Sequence, residues 1–343
     1  MSRSEHAIDE SLPALARALA ASAGLERPYA LSRLAGGRNN RVYRLDTEAA
    51  PPLLLKLYFT DPRDLRDRLG AEWDFLSAAW SRGIRCVPEP LSCDAAAHGA
   101  LYSFMPGRKL RAAELTPGHI DAAIDFVLAV NAPPRAELAP ASEACFSLAE
   151  HVMTVERRVS RLATLDPDAP HVGEVRSFVS KRLLPAWDAV KSRLTARARE
   201  AGLAMNAPLQ PADCCLSPSD FGFHNALVDE AGRIGFLDFE YAGRDDPAKL
   251  VSDFFCQPEV TVPLDFHASF MDRLADGLRL DERGRARCRM LLDAYRIKWA
   301  CIILNDFLPL GAARRAFADE GDRAARCAAQ LATAEARLSG LRA

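Results

Sequence analysis

The chain has 343 residues, 49% of them hydrophobic and 26% charged, with 44 Lys and Arg against 46 Asp and Glu. That length exceeds one ordinary core and predicts two lobes or domains, while the near balance of charge suggests no dominant electrostatic partner such as nucleic acid. Nine cysteines occur without a CxxC pair or a regular Cys/His spacing, and an odd number cannot all pair within one chain, so a reducing compartment is expected.

The first residues mix acids with a short apolar stripe and lack the basic, then continuously apolar, pattern of a signal peptide. No run approaches the roughly 18 apolar residues of a membrane-spanning helix. A cytoplasmic protein with neither a membrane nor a nucleic-acid partner is the expectation.

Residues 8–24 have the spacing of an amphipathic helix. YALSRLAGGRNNRVYRLDTEAAPPLLLKLYF then reads as three strands joined by turns at Gly36–Gly37 and Pro51–Pro52. A helix is predicted after Asp61–Pro62, with Leu65, Leu69, Phe75, Leu76 and Ala79 at helical spacing and a stop at Gly83. Two short strands follow, around EPLSCD and HGALYSFM, and Pro106–Gly107 reads as a hinge.

From about residue 111 to 205 the pattern is helical, with a kink or boundary predicted at Pro185. Residues 214–239 break it: a loop, a short strand ALVD, a turn at Ala231–Gly232 and a second strand IGFLDF. After Pro247 the helical pattern resumes. No repeat or low-complexity tract separates the halves, which points to two lobes of one catalytic unit.

The loop SDFGFHNAL and the strand after it place Asp220, Asn225 and Asp238 in a D-x4-N-x12-D spacing. A single loop aspartate is by default a turn or cap residue. Three together suit phosphoryl transfer, which needs a carboxylate near the attacking hydroxyl and oxygen ligands for Mg²⁺ on the nucleotide phosphates. A hairpin between Asn225 and Asp238 would bring those two side by side.

Lys56 lies within the apolar run LLLKLYF. Its ordinary reading is an edge-strand lysine snorkelling to water, but a buried lysine needs a negative partner. Glu72, in the predicted helix, is the candidate, and such a pair could aim the ammonium at phosphates. GGRNNRVY between two predicted strands could bring backbone N–H groups to phosphates as well, although a glycine turn there is ordinarily only a hairpin.

The sequence resembles the aminoglycoside phosphotransferase and choline kinase family over roughly residues 30–256, most specifically in SDFGFHNAL and GFLDFEYAGRDDP. The resemblance implies an α+β, bilobal, protein-kinase-like fold. Residues 1–106 would form an antiparallel-sheet N-lobe with one key helix, and residues 107–343 a mainly helical C-lobe carrying the catalytic β-hairpin. It implies an ATP- and Mg²⁺-dependent kinase acting on a hydroxyl of a small-molecule acceptor.

By the same resemblance Asp220 takes the catalytic-base position, and Asn225 and Asp238 the metal positions. Lys56 and Glu72 become the phosphate-orienting pair, Arg38, Asn39 and Asn40 the tip of the phosphate loop, and Ser103, Phe104 and Met105 the adenine-binding hinge. The family usually has His-Gly-Asp where Pro218-Ser219-Asp220 stands here, so altered loop packing with retained chemistry is expected. Asp253 and His224 are expected in structural roles.

Eight residues separate Asp238 from Pro247, too few for the activation loop and protein-substrate platform of a protein kinase. The acceptor is therefore expected to be small; the resemblance points to a polar metabolite such as a sugar, amino alcohol or aminoglycoside, and Glu259 and Asp306 could meet an amine, although an exposed helix acid is their ordinary reading. A nucleotide-binding pseudokinase is the alternative.

Overall fold

The computed structural model describes residues 3–25, 29–34, 40–47, 50–62, 64–309, 322–339 and 341, with 3–10 as backbone alone. In chain order the elements are α1 (Arg3–Ser22), β1 (Ala30–Leu34), β2 (Arg41–Thr47), β3 (Ala50–Leu57), α2 (Arg68–Ser81), β4 (Pro90–Asp94), β5 (Gly99–Ser103) and β6 (Arg108–Lys109). Then follow α3 (Pro117–Val130), α4 (Leu148–Arg161), α5 (Val172–Phe178), α6 (Leu184–Glu200), β7 (Cys215–Ser217), β8 (Ala226–Val228), β9 (Ile234–Phe236) and β10 (Gly243–Asp245). Helices α7 (Pro247–Cys256), α8 (His267–Gly277), α9 (Glu282–Ile303) and α10 (Arg323–Ser339) complete the described chain.

Two compact units emerge. The first comprises Met1–Lys109 and Asn225–Tyr241, the second Leu110–His224 and Ala242–Ala343. The sequence pattern puts the boundary at 106 and leaves the hairpin in the second lobe. In the structure β8 and β9 pair with β6 in a three-stranded sheet, and those ladder hydrogen bonds group residues 225–241 with the first unit. Gly107 leads into β6 at φ 142°, and a Cβ there would lie 2.9 Å from the Val228 carbonyl oxygen. Only glycine allows that approach.

The first unit is built on an antiparallel sheet of order β1-β2-β3-β5-β4. Side chains alternate across a strand, and β3 shows the consequence. Leu53 and Leu55 join Leu45, Leu101 and, from α1, Ala16, Leu19 and Ala20 in one core cluster. Lys56 faces the other way, toward Glu72 on α2. Helices α1 and α2 thus serve opposite faces of the sheet.

Two local expectations give way here. Pro51 and Pro52 lie inside β3 rather than in a turn, since the β2–β3 pairing already begins at Thr47↔Ala50. At a strand's start a proline costs little of the ladder, and the Pro52 carbonyl still accepts from Phe104 N–H at 3.3 Å. Helix α2 starts after Asp67, whose side chain accepts from Gly70 N–H at 2.8 Å, not after Pro62. Asp64 holds both Arg66 and Arg68 at 2.6 Å and keeps the approach to the helix as a loop. Leu65 therefore sits outside the helix and is 95% exposed. The Gly36–Gly37 turn falls outside the described residues.

In the second unit α9 is the central helix, with Leu291, Ala294, Tyr295, Ile297 and Ala300 fully buried. Pro185 has the predicted effect through a defined device. Helix α5 runs into a π-helical turn at Val179–Leu183, where the Leu184 N–H reaches back to Val179, and α6 resumes beyond it. The wider turn makes room for a ring that would clash with the preceding carbonyls.

Strands β7 and β10 pair antiparallel, Cys215↔Asp245 to Ser217↔Gly243. The Asn131 side chain donates to the Leu216 carbonyl at 2.9 Å and accepts its N–H at 2.8 Å, acting as a further strand edge for β7. All nine cysteines are free, and no described helix is long and apolar enough to cross a membrane.

Candidate active site

Lys56 is 5% exposed, in a sheet interior where an ammonium needs compensating charge. It has two partners: Nζ lies 2.6 Å from Glu72 Oε2 and 2.6 Å from Asp238 Oδ1. Burial works against the ammonium, but Asp238, Glu72 and Glu240 hold its pKa well above the ordinary lysine value. The Lys56 charge is therefore permanent at neutral pH.

Glu72 is 3% exposed, and burial raises its pKa against the opposing pull of Lys56. Its oxygens are divided. Oε2 also accepts the Tyr58 hydroxyl at 2.8 Å, while Oε1 accepts the backbone N–H of Phe239 at 3.3 Å. Tyr58 in turn lies 2.7 Å from the Tyr102 hydroxyl. Burial, then the Glu72 charge, keeps the Tyr58 phenol protonated far above its usual range, so it acts as a donor to Glu72. These two tyrosines went unread in the sequence. Strand alternation was the available signal, because Tyr58 follows Lys56 by two positions and Tyr102 stands opposite Leu54.

Asp238 follows β9 with φ 67°, in the left-handed region that aspartate tolerates better than most residues. The Phe239 ring stacks on Phe75 of α2 at 4.7 Å, and the Phe239 amide is bound to Glu72. With its neighbour clamped, the Asp238 carboxylate points to Lys56 while remaining 41% exposed. Asn225 begins the same hairpin, and its carbonyl accepts the Leu237 N–H at 2.8 Å. The two expected metal residues are thus adjacent across the hairpin ends.

One carboxylate and one side-chain amide are oxygen donors of the kind Mg²⁺ takes when nucleotide phosphates and water complete its shell. Among the described residues no three His, Cys, Asp or Glu side chains cluster as a metal site of their own.

Arg38 and Asn39 lie outside the described residues. Asn40 is described, and its side chain is committed to protein: Nδ2 donates to Glu240 Oε2 at 2.5 Å, and Oδ1 accepts the Phe59 N–H at 3.2 Å. Ser103 ends β5, with its N–H on the Glu89 carbonyl at 2.9 Å and its hydroxyl accepting the Glu89 N–H at 2.8 Å. The Phe104 amide is used by Pro52, and Arg44 lies 4.7 Å over its ring. The Met105 side chain packs directly on Gly235, where a Cβ would collide with it.

Asp220 belongs to the second unit. Its loop is anchored from below by alternate phenylalanines: Phe221 packs on Phe126 at 5.7 Å and Phe254 at 5.5 Å, and Phe223 on Phe254 at 5.6 Å. Ser219 stands where the family pattern has glycine and takes φ 68°, the conformation that glycine favours. Its N–H bonds to Ser217 Oγ at 3.1 Å, and its carbonyl accepts the Phe221 N–H at 2.7 Å. The Asp220 carboxylate is 37% exposed and lies 3.3 Å from His224 Nε2.

Two other acids have defined partners. Asp253 takes Lys298 at 2.8 and 2.9 Å and Trp299 Nε1 at 2.6 Å, so it ties α7 to α9. Asp306, expected near an acceptor amine, is 3% exposed and accepts Gln330 Nε2 of α10 at 2.7 Å.

The sequence profile of the phosphotransferase enzyme family matches residues 30–291. Comparison with curated proteins gives no match. Solved structures of similar fold include a choline/ethanolamine kinase family protein from Mesorhizobium loti, 20% identical with TM-score 0.56, covering 95% of this chain and 94% of that one. A choline kinase from Cryptosporidium parvum is 13% identical with TM-score 0.59, covering 96% and 95%. A spectinomycin phosphotransferase in complex with ADP and spectinomycin is 14% identical with TM-score 0.54, covering 95% and 98%. At these identities the likeness is one of fold, and it is the protein-kinase-like α+β fold expected from the sequence. With its profile spanning most of the chain, this protein belongs to the phosphotransferase enzyme family.

Proposed function

We propose that the protein is an ATP- and Mg²⁺-dependent phosphotransferase acting on a hydroxyl of a small polar acceptor, within the cytoplasm. The observation that carries this reading is the buried Lys56 ammonium, gripped at 2.6 Å by both Glu72 and Asp238. Unlike the buried Lys298, Lys56 reaches a carboxylate that is itself 41% exposed, and an ammonium so held is the kind of group that phosphoryl-transfer sites set against nucleotide phosphates. The ADP held by the similar spectinomycin phosphotransferase supports the nucleotide.

In this reading Lys56 sets its charge against the α and β phosphates, and Glu72, fixed by Tyr58 and Tyr102, keeps the ammonium from swinging away. The N–H groups of Ser103 and Phe104 are already bonded, so an adenine edge would meet the carbonyls of this segment or the backbone at Met105. Asp220 accepts a hydrogen bond from the acceptor hydroxyl, orients its oxygen toward the γ-phosphorus and takes the proton as the new O–P bond forms, while the bond from the γ-phosphorus to the β,γ-bridging oxygen breaks and ADP leaves with that electron pair. Asn225 and Asp238 would hold Mg²⁺, which when bound neutralises charge on the phosphate oxygens.

The test is nucleotide binding by calorimetry with and without Mg²⁺, followed by ATP consumption over a panel of sugars, amino alcohols and aminoglycosides. Mg²⁺-dependent binding and turnover with one acceptor class are expected. Binding without transfer to any acceptor would favour the nucleotide-binding module, and absence of binding would remove the nucleotide reading altogether.

A further inference from the structure

Glu240 follows Asp238 by two positions and is 2% exposed, a depth at which a carboxylate must be partnered. Its Oε2 accepts Asn40 Nδ2 at 2.5 Å and has Arg68 Nε at 3.8 Å. Arg68 is itself 2% exposed and is held by Asp64 at 2.6 Å and by the Phe59 carbonyl at 2.8 Å. Phe59 N–H in turn binds Asn40 Oδ1. Asn40, Phe59, Arg68 and Glu240 therefore form a connected polar knot at the start of β2.

The knot bears on Asp238. That residue holds a left-handed φ of 67°, a conformation that persists only when its surroundings over-determine it. The next residue, Phe239, is held through its amide on Glu72 and its ring on Phe75. The one after it, Glu240, is held by the Asn40 bond, which ties together residues 200 apart in sequence.

Resting on the phosphotransferase reading above, we propose that Asn40 and Glu240 are positioning residues for nucleotide binding: their bond locks Asp238-Phe239-Glu240 so that Asp238 is presented to Lys56 and to the metal-bound phosphates. Asn40 acts through Glu240 and not as a phosphate ligand. The amide donates and the carboxylate accepts, so reversing the two chemistries preserves the bond.

The experiment measures MgATP affinity by calorimetry, and melting temperature, for the full chain and for Asn40→Ala, Asn40→Asp, Glu240→Gln and the Asn40→Asp/Glu240→Gln double variant. Asn40→Ala is expected to bind MgATP about tenfold more weakly, the scale of one lost bond to a charged group. Asn40→Asp sets two carboxylates together and should lose more. In the double variant the amide introduced at position 240 donates to the carboxylate introduced at position 40, and affinity should return to within about threefold of wild type.

Wild-type affinity in both Asn40 variants, or a double variant no better than Asn40→Asp, would overturn the proposal. So would a fall in melting temperature with unchanged MgATP affinity. If Asn40→Asp does not fold, Asn40→Ala and the double variant decide the matter. A wild-type protein that binds no MgATP removes the phosphotransferase reading and the inference together, whereas wild-type binding with insensitive variants removes the inference alone.

Discussion

His224 Nε2 lies 3.3 Å from Asp220 Oδ1, four residues along the same loop. The imidazole is 8% exposed and supports the carboxylate where the histidine of the family's usual His-Gly-Asp is replaced by Pro218. Asp220→Asn is nearly isosteric and should leave MgATP affinity and melting temperature close to wild type while lowering kcat by about 10²–10⁴-fold. His224→Ala should cost up to about tenfold in kcat, the scale of one hydrogen bond, with partial rescue in His224→Gln. If Asp220→Asn loses nucleotide affinity and stability together, Asp220 is a structural group.

Lys56→Met removes the cation between two carboxylates and leaves Glu72 buried without its charge partner. A destabilisation of about 3–5 kcal/mol is expected, with loss of MgATP binding. Burial already raises the Glu72 pKa, and without Lys56 it rises further. The folded state then binds a proton that the unfolded state has released, so the deficit should grow as pH rises and shrink toward pH 5. Denaturant unfolding of both proteins at pH 5 and pH 8 measures this, and a pH-independent deficit would contradict it.

Ser219 holds φ 68°, which costs a side-chain-bearing residue about 1–2 kcal/mol, less the greater chain entropy that glycine loses on folding. Ser219→Gly should therefore stabilise the protein by about 0.5–1 kcal/mol and leave kcat near wild type. A lower unfolding midpoint in this variant would show that the serine contributes a bond outweighing the strain.

His151 is fully buried, with Tyr295 Oη at 2.6 Å on Nδ1 and Asp246 Oδ2 at 3.3 Å on Nε2. Burial opposes its charge, but Cys145 and Asp246 outweigh it and raise its pKa to about 9. Arg287, also on Asp246 at 3.0 Å, faces the same cluster. A raised folded pKa contributes stability that is complete below the unfolded value near 6.5 and is lost as pH climbs through about 9. The wild-type melting temperature should fall across that window, and His151→Gln should flatten the decline. An equal slope in both would place the titration elsewhere.

Local pattern determined much of what was legible in the sequence. Whereas the Asp220, Asn225 and Asp238 spacing takes its roles from the family resemblance, the lysine within an apolar strand and the glutamate on the following helix are short-range features, readable because strand and helix periods place side chains on known faces. The hairpin at β8 and β9 was readable for the same reason.

Tertiary structure decided which buried polar groups meet. Tyr58 on Glu72 with Tyr102 behind it, and Asn40 on Glu240, join separate segments, and no periodicity says which donor will satisfy a carboxylate far along the chain. Strands β7 (Cys215–Ser217) and β10 (Gly243–Asp245) pair across the whole intervening hairpin rather than through a local turn, so no short-range pattern joins them, and Asn131 and the chain at Ala139–Ala141 flank the pair. The left-handed backbone at Ser219 and Asp238 likewise comes from surrounding bonds that hold each against its own preference, which is a property of the packed chain and not of either residue.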